Sequence, residues 1–287
     1  MLLVCGTIPW EDISMITGEA RFDSEKLFIE DKEIPCTQGT AALISAACAT
    51  AKHFKSAPPR VILAGDTGRG KNSHALYDYL AKNIGEIAPD VLLMHYILPV
   101  MGLMKKVHAA AMKCSKKPVL MADASSMYAA KAAGLGPQFD VFTPDLSEIA
   151  FLADPEAIHP AYISHHLFVT DAAQVPELIA AAYRQKSAAK VMIVKGATDY
   201  VVENGDIVCT ISKPDIPALE AIGGTGDTIS GMTGAMIDAG RTHRQAAIAA
   251  AQANRMAGEF IHATPATKIR TLIDALPQAL STTGISE

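Results

Sequence analysis

The stretch Ala221-Ile222-Gly223-Gly224-Thr225-Gly226-Asp227-Thr228 places three glycines, a threonine and an aspartate where a loop runs into a helix. Backbone N–H groups at such an entry have no partner within the helix, and with the positive end of the helix dipole they form a site for a phosphoryl group. A carboxylate repels phosphate. Asp227 beside this anion hole therefore makes chemical sense as a base that takes the proton from a hydroxyl attacking phosphorus. A plainer reading stands beside it: an acid in a first helical turn gains about 0.3–1 kcal/mol from the dipole, and the glycines only turn the chain.

A second glycine loop, Gly65-Asp66-Thr67-Gly68-Arg69-Gly70-Lys71, follows the apolar run Arg60 to Ala64 and precedes a helical pattern from Ser73. Its spacing is that of a Walker phosphate loop, with Val119 to Asp123 available as an apolar strand ending in an acid. However, Asn72 stands where a magnesium-binding Ser or Thr is required, and Ser73 comes one residue late. The loop is expected at the rim of a substrate site, where Arg69 and Lys71 meet an anionic group, and a solvated connection is the equal alternative. The pair His165-His166 has no carboxylate or cysteine spacing around it and reads as structural. Trp10 reads as a core or interface anchor, and Met94, Met101 and Met104 as core.

Elements that would carry these loops alternate along the chain. Strands are expected at Arg60 to Ala64, Val91 to Met94, Val119 to Met121, Val141 to Thr143, Leu167 to Thr170 and Val191 to Val194. Helices fall at Gly39 to Lys52, Ser73 to Ile84, Leu103 to Met112, Ser125 to Ala133 and Val175 to Ser187. Such βα alternation gives a mostly parallel sheet covered by helices on both faces. After Lys195, the turn Asn204-Gly205-Asp206 between two β-branched runs predicts an antiparallel hairpin near the C-terminal end. Two Ala/Gly-rich helices follow, to Ala239 and from His243 to Phe260, whose small residues permit close packing. The whole chain, 1–287, reads as one domain. Residues 1–35 are expected to be irregular beyond a first strand at Met1 to Val4, and 281–287 to be a frayed tail.

The segment GGTGDTISGMTGAMIDAG, Gly223 to Gly240, resembles the signature of the ribokinase-like superfamily, and most closely its ATP- or ADP-dependent NAD(P)H-hydrate dehydratase branch. Val194-Lys195-Gly196-Ala197 resembles the Lys-Gly at a strand end of that branch, Thr143-Pro144-Asp145-Leu146-Ser147-Glu148 its Thr-Pro-x-x-x-Glu, and Leu120 to Ala124 its Asp-Ala-Asp-Ala. The likeness runs from about Val91 to Leu280 and is faint before that. It implies a three-layer α/β/α sandwich, Asp227 as catalytic base, and Gly224, Thr225 and Gly226 as the anion hole. It further implies Lys195, Gly196 and Gly223 at the nucleotide phosphates, and Glu148 and Asp123 ordering magnesium. Other readings remain for each: Asp145 and Glu148 are spaced as a helix capping box, Asp123 as a cap for the helix at Ser125, and Lys195 as a solvated strand-end charge.

The chain departs from that branch on the substrate side. Where the dehydratases show Thr-Pro-His-Pro-Gly-Glu, Asp145 replaces the histidine that faces the hydrated nicotinamide. His95-Tyr96-Ile97-Leu98-Pro99 stands where Gly-Pro-Gly is expected. Phosphoryl chemistry with ATP or ADP is thus the firmer expectation. NAD(P)H-hydrate dehydration, with hydrated NADH or NADPH as substrate, is the leading form. A kinase for a sugar, pyrimidine or thiazole alcohol is the alternative, and a catalytically silent nucleotide-binding regulator the third.

Composition sets the outer limits. With 49% hydrophobic and 19% charged residues the chain is a folding one. Its net charge of −5 is the wrong sign for a dedicated nucleic-acid binder. The longest apolar stretches, Ala41 to Ala49 and Val91 to Met104, fall short of the ~18–20 residues of a membrane span. The apolar start lacks a basic flank and is cut by Gly6 and Pro9 before a signal-peptide core. Five scattered cysteines without a C-x-x-C pair fit a reducing cytoplasm. The sequence is compatible with a homo-oligomer and does not decide it.

Overall fold

The structure, a computed structural model, describes residues 1–10, 13–23, 25–157 and 172–284. Six strands form the parallel centre of a mixed sheet: β1 (Leu2–Ile8), β5 (Arg60–Gly65), β6 (Val91–His95), β7 (Val119–Asp123), β8 (Val141–Phe142) and β9 (Val191–Val194). Across the sheet the order is β11 (Asp206–Ile211), β10 (Asp199–Glu203), β9, β8, β7, β6, β1, β5, β2 (Ile16–Asp23), β3 (Lys26–Ile29) and β4 (Lys32–Pro35). The hairpin expected after Lys195 is present as β10 (Asp199–Glu203) and β11 (Asp206–Ile211), antiparallel at one edge.

The opposite edge corrects the expectation for residues 1–35. Instead of an irregular segment, β2 (Ile16–Asp23), β3 (Lys26–Ile29) and β4 (Lys32–Pro35) form an antiparallel meander docked on β5. Only one face is buried, through Ala20, Leu27, Ile29 and Ile34. The runs are short and interleaved with charges, so their period of two is faint. At the other terminus, Ser281, Thr282 and Thr283 still hydrogen-bond back to the last helix, so the tail does not fray at 281. Residues 285–287, like the strand expected at 167–170 and the pair His165-His166, lie outside the described residues.

Ten α-helices are described: α1 (Gly39–His53), α2 (Lys71–Ile87), α3 (Met101–Ala111), α4 (Ser125–Ala132), α5 (Leu146–Ala153), α6 (Val175–Arg184), α7 (Ala218–Ala221), α8 (Thr225–Asp238), α9 (His243–Phe260) and α10 (Ile269–Leu280). Alternation along β1 sends Leu2 and Val4 into the core shared with α1, α8, α9 and α10, and Leu3 and Cys5 into the core shared with α2, α3 and α4. Three layers result. Small residues allow the close helix packing expected: a Cβ on Gly231 of α8 would stand 2.1 Å from the Leu43 carbonyl oxygen of α1.

Three parallel strands run slightly further than their apolar patterns indicate. β5 reaches Gly65, β6 ends on His95 and β7 ends on Asp123, and the last two are register partners. The carboxyl ends of the strands thus bring polar groups together at one rim, where ligands bind in open α/β sheets.

Candidate active site

Gly224, at φ +97, is the N-cap of α8, a left-handed conformation that suits glycine. A Cβ on Gly223 would meet the Oε1 end of the Gln38 side chain at 2.6 Å, a contact that Gln38 can relieve by turning away. The loop delivers Asp227 to the third position of α8, yet its carboxylate reaches outwards. Oδ2 accepts the N–H of Gly39, in the first turn of α1, at 2.8 Å, and Oδ1 lies 3.1 Å from His95 Nε2. Asp227 is therefore fixed by two elements far away in sequence, which the dipole-only reading of its position did not foresee.

His95 is fully buried and held from its other side. The hydroxyl of Thr40 donates to the Thr7 carbonyl at 2.6 Å and so accepts from His95 Nδ1, 2.8 Å away. Donation from Nε2 to Asp227 then needs a second ring proton, so the two contacts together make His95 an imidazolium flanked by the carboxylates of Asp227 and Asp123. Next to it, Asp123 is 1% exposed and fully engaged: Oδ1 accepts from Ala124 N–H at 2.8 Å and Lys195 Nζ at 3.0 Å, and Oδ2 accepts from Ser230 Oγ at 2.6 Å. Burial alone would raise the Asp123 carboxyl, but Lys195 and His95 hold it below the usual range. Burial likewise works against the Lys195 ammonium, and Asp123, Glu148 and Asp227 outweigh it and push its pKa upwards. Lys195 is a compensated buried charge, not a solvated one.

Glu148 and Asp145 form the capping box that their spacing allows, each side chain accepting the other's backbone N–H at 2.8 Å. Burial, and after it the neighbouring Asp145, pushes the Glu148 carboxyl well above the usual range. Donor atoms of His95, Asp123 and Asp227 lie within 4.8 Å of one another. His95 hydrogen-bonds to Asp227, Asp123 to Lys195, and one of the three ligand atoms is a nitrogen, which suits magnesium poorly.

Two cavities meet at Asp227. One, of about 340 Å³, is lined by Lys195, Gly196, Glu148, Arg255 and the Gly223–Asp227 loop. The other, of about 570 Å³, is lined by Trp10, Thr37, Gln38, Thr67 and again Gly223, Gly224 and Asp227. Tyr96 borders both, in a left-handed backbone at φ +51 that is costly for a bulky residue.

Residues 99–279 match the carbohydrate-kinase-type family described as NAD(P)H-hydrate dehydratase. The chain belongs to this family. An uncharacterized protein of Methanocaldococcus jannaschii is 38% identical over 241 residues, 84% of this chain and 99% of that protein. Among solved structures, phosphofructokinase-2 from Escherichia coli in complex with potassium is similar at TM-score 0.56, with 13% identity over 98% of this chain and 100% of the other. Pyridoxal kinase from Entamoeba histolytica is similar at TM-score 0.53, with 14% identity over 99% and 96%. These likenesses show the ribokinase-like fold. Family membership makes the chain a carbohydrate-kinase-type enzyme, and among the described residues no helix is long and apolar enough to cross a membrane.

Within this dehydratase-family chain, the structure gathers Asp227, Gly223, Gly224, Thr225, Gly226, Lys195, Gly196, Glu148, Asp123 and Asp145 around the smaller cavity. Arg69 and Lys71 are exposed and stand outside the described lining of both cavities. The Gly65–Lys71 loop instead turns its amides on its own carboxylate: Asp66 accepts from the N–H groups of Gly68, Gly70 and Ser73 at 2.9–3.0 Å. A nest that a Walker loop would offer to phosphate is filled by Asp66. Burial raises this carboxyl, and the hydrogen bonds from Gly70, Ser73 and Gly68 together more than offset that and hold it below the usual range.

Sequence reasoning missed three residues. His95 was legible as a polar residue ending an apolar parallel strand. Arg255 and Asn254 were legible as two polar positions in a buried alanine-rich helix. Arg255 Nε donates to Asp199 Oδ2 at 2.8 Å and its Nη2 to the Gly196 carbonyl at 2.8 Å, so it fixes the turn after Lys195. Asn254 accepts from Thr228 at 2.7 Å and steadies α8.

Proposed function

We propose that this protein transfers a phosphoryl group from ATP or ADP to the hydroxyl of a small molecule, with Asp227 as the base. The observation that carries this reading is the position of Asp227, at the wall common to two cavities and in the first turn of a helix whose N-cap, Gly224, makes no side-chain cap bond. The smaller cavity takes the nucleotide phosphates against Lys195 and Gly196, and the larger takes the acceptor. The acceptor O–H gives its proton to Asp227, a new O–P bond forms, and the P–O bond to the departing nucleotide breaks, while the N–H groups of Gly224, Thr225 and Gly226 receive the growing negative charge. Gly39 and His95 hold the carboxylate so that its remaining lone pairs face the acceptor.

Magnesium would neutralise phosphate charge in this reaction. Glu148 fits it best, since a divalent cation would offset the burial that pushes this carboxyl upwards, whereas Asp123 has both oxygens engaged and would contribute through water. In a dehydratase the phosphate then leaves with the oxygen, and in a kinase it stays. The family match supports the hydrated NADH or NADPH acceptor as a reading of the same step.

Phosphorus NMR of the protein with magnesium, ATP or ADP, and either hydrated NADH or a set of small alcohols tests this reading. A new phosphate ester, or inorganic phosphate released in step with cofactor repair, is the expected result. Nucleotide binding without either product would make the protein a silent regulator.

A further inference from the structure

We propose that Tyr96 is a further catalytic residue, whose phenol O–H donates a hydrogen bond to a non-bridging oxygen of the phosphoryl group as it passes from the smaller cavity to the larger. This inference rests on the phosphoryl-transfer reading and adds a side-chain donor to the backbone donors of Gly224, Thr225 and Gly226.

The first observation is where the cavities meet. Four described residues line both: Tyr96, Gly223, Gly224 and Asp227. Two of them are glycines, so Asp227 and Tyr96 supply the side chains described at the common wall. Any group handed from one cavity to the other crosses this wall.

The second observation is how the ring is held. Tyr96 directly follows His95, the last residue of β6, and the two rings meet edge to face with 4.4 Å between centroids and 73° between planes. On its other side the tyrosine ring lies against Gly39, where a Cβ would stand 3.5 Å from Cε2. Gly39 and His95 are also the two residues that fix the Asp227 carboxylate, at 2.8 Å and 3.1 Å. Base and phenol ring are therefore seated on the same pair of residues. The Thr7 hydroxyl donates to the Tyr96 carbonyl and so anchors the left-handed backbone at φ +51.

The third observation is the phenol itself. Tyr96 is 49% exposed, and its hydroxyl has no hydrogen-bond partner among the described residues. The neighbouring hydroxyls of Thr7, Thr40 and Ser230 are all engaged. Burial, and after it the carboxylates of Asp227, Asp123 and Glu148, push the phenol upwards, so it keeps its proton and meets an anion as a donor. Hydrogen bonds to ionised groups are about twice as strong as neutral ones, and a donor fixed where charge grows in the transition state speeds the reaction.

Aluminium fluoride bound with ADP and magnesium mimics a phosphoryl group in transit, so calorimetry of that complex tests the contact without an acceptor; AMP takes the place of ADP where ADP is the donor. The parent is expected to bind nucleotide with aluminium fluoride at least about tenfold more tightly than nucleotide alone. Tyr96→Phe keeps the ring on Gly39 and His95. It should lose about tenfold in affinity for the aluminium fluoride complex, at unchanged nucleotide affinity and melting temperature, and should form product about 10- to 100-fold more slowly in the phosphorus NMR assay. An equal aluminium fluoride gain in parent and variant, or product formed at the parent rate, overturns this inference alone. A loss that merely follows nucleotide affinity or melting temperature makes Tyr96 a structural wall and overturns it too. No gain in the parent with either nucleotide overturns the transfer reading, and this inference with it.

Discussion

The two cavities that share Asp227 are built by different means. On the donor side, buried charges are matched in pairs: Lys195 with Asp123 at 3.0 Å and Arg255 with Asp199 at 2.8 Å, each pair at least about nine-tenths buried. On the acceptor side, ring faces, hydroxyls and a carboxylate satisfied by its own loop make up the walls. On the proposed function, charge fixed in a low-dielectric rim would act on any phosphoryl donor in the same way and serve the chemistry, while shape and neutral polarity would distinguish one acceptor from another and serve the choice.

Breaking the donor side should have the largest effect. Lys195→Ala leaves Asp123 buried without its counter-charge and is expected to cost about 3–5 kcal/mol of stability, together with turnover. Calorimetric unfolding checks it, and a loss under about 1 kcal/mol would show that Lys195 is a solvated charge.

His95 joins the two sides. Removal of the ring in His95→Ala frees the Asp227 carboxylate from one of its two holds, and misplacement of a base on this scale costs about 100-fold in kcat. The nucleotide KM should hold, and His95→Gln should recover part of the rate by restoring an N–H near Asp227. A purely structural role would instead lower both variants in proportion to their melting temperatures.

The smallest effect is expected at Asp66, which sharpens the contrast between the two glycine loops. Asp66→Ala removes a cap from α2 and should cost about 1 kcal/mol. Since the folded carboxyl lies below its ordinary value, its contribution is complete above the ordinary carboxylate pKa and is lost as pH falls through the folded value. The stability gap to the parent should therefore close in acid. ATP affinity should not change, and a gain in affinity would mark Gly65–Lys71 as a phosphate loop after all.

The parallel core and the glycine loop at the head of α8 were legible because their physics is local. Glycines at a helix entrance, apolar strands of Val, Leu and Ile, and an Asn-Gly turn each carry their signal within a few residues. The edge meander at β2–β4 was not, since alternate charged positions and small residues such as Gly18 and Ala20 weaken its periodicity. His95 was hidden for a different reason: its partners are Thr40, at a separation of 55 residues, and Asp227, at 132, and only the strand register brings them together. The pairing of Trp10 with Tyr96 in one cavity is a matter of topology in the same way.

Asp227→Asn tests the central claim most directly, because the amide keeps the size of the side chain and one acceptor for Gly39 but cannot take a proton. With nucleotide affinity and melting temperature measured on the same preparation, the account predicts that turnover of ATP or ADP with acceptor present falls by about 10²- to 10⁴-fold, while the nucleotide binds as well or slightly better. A variant that turns over at the parent rate, with only its melting temperature lowered, would show that Asp227 serves its helix and not the reaction.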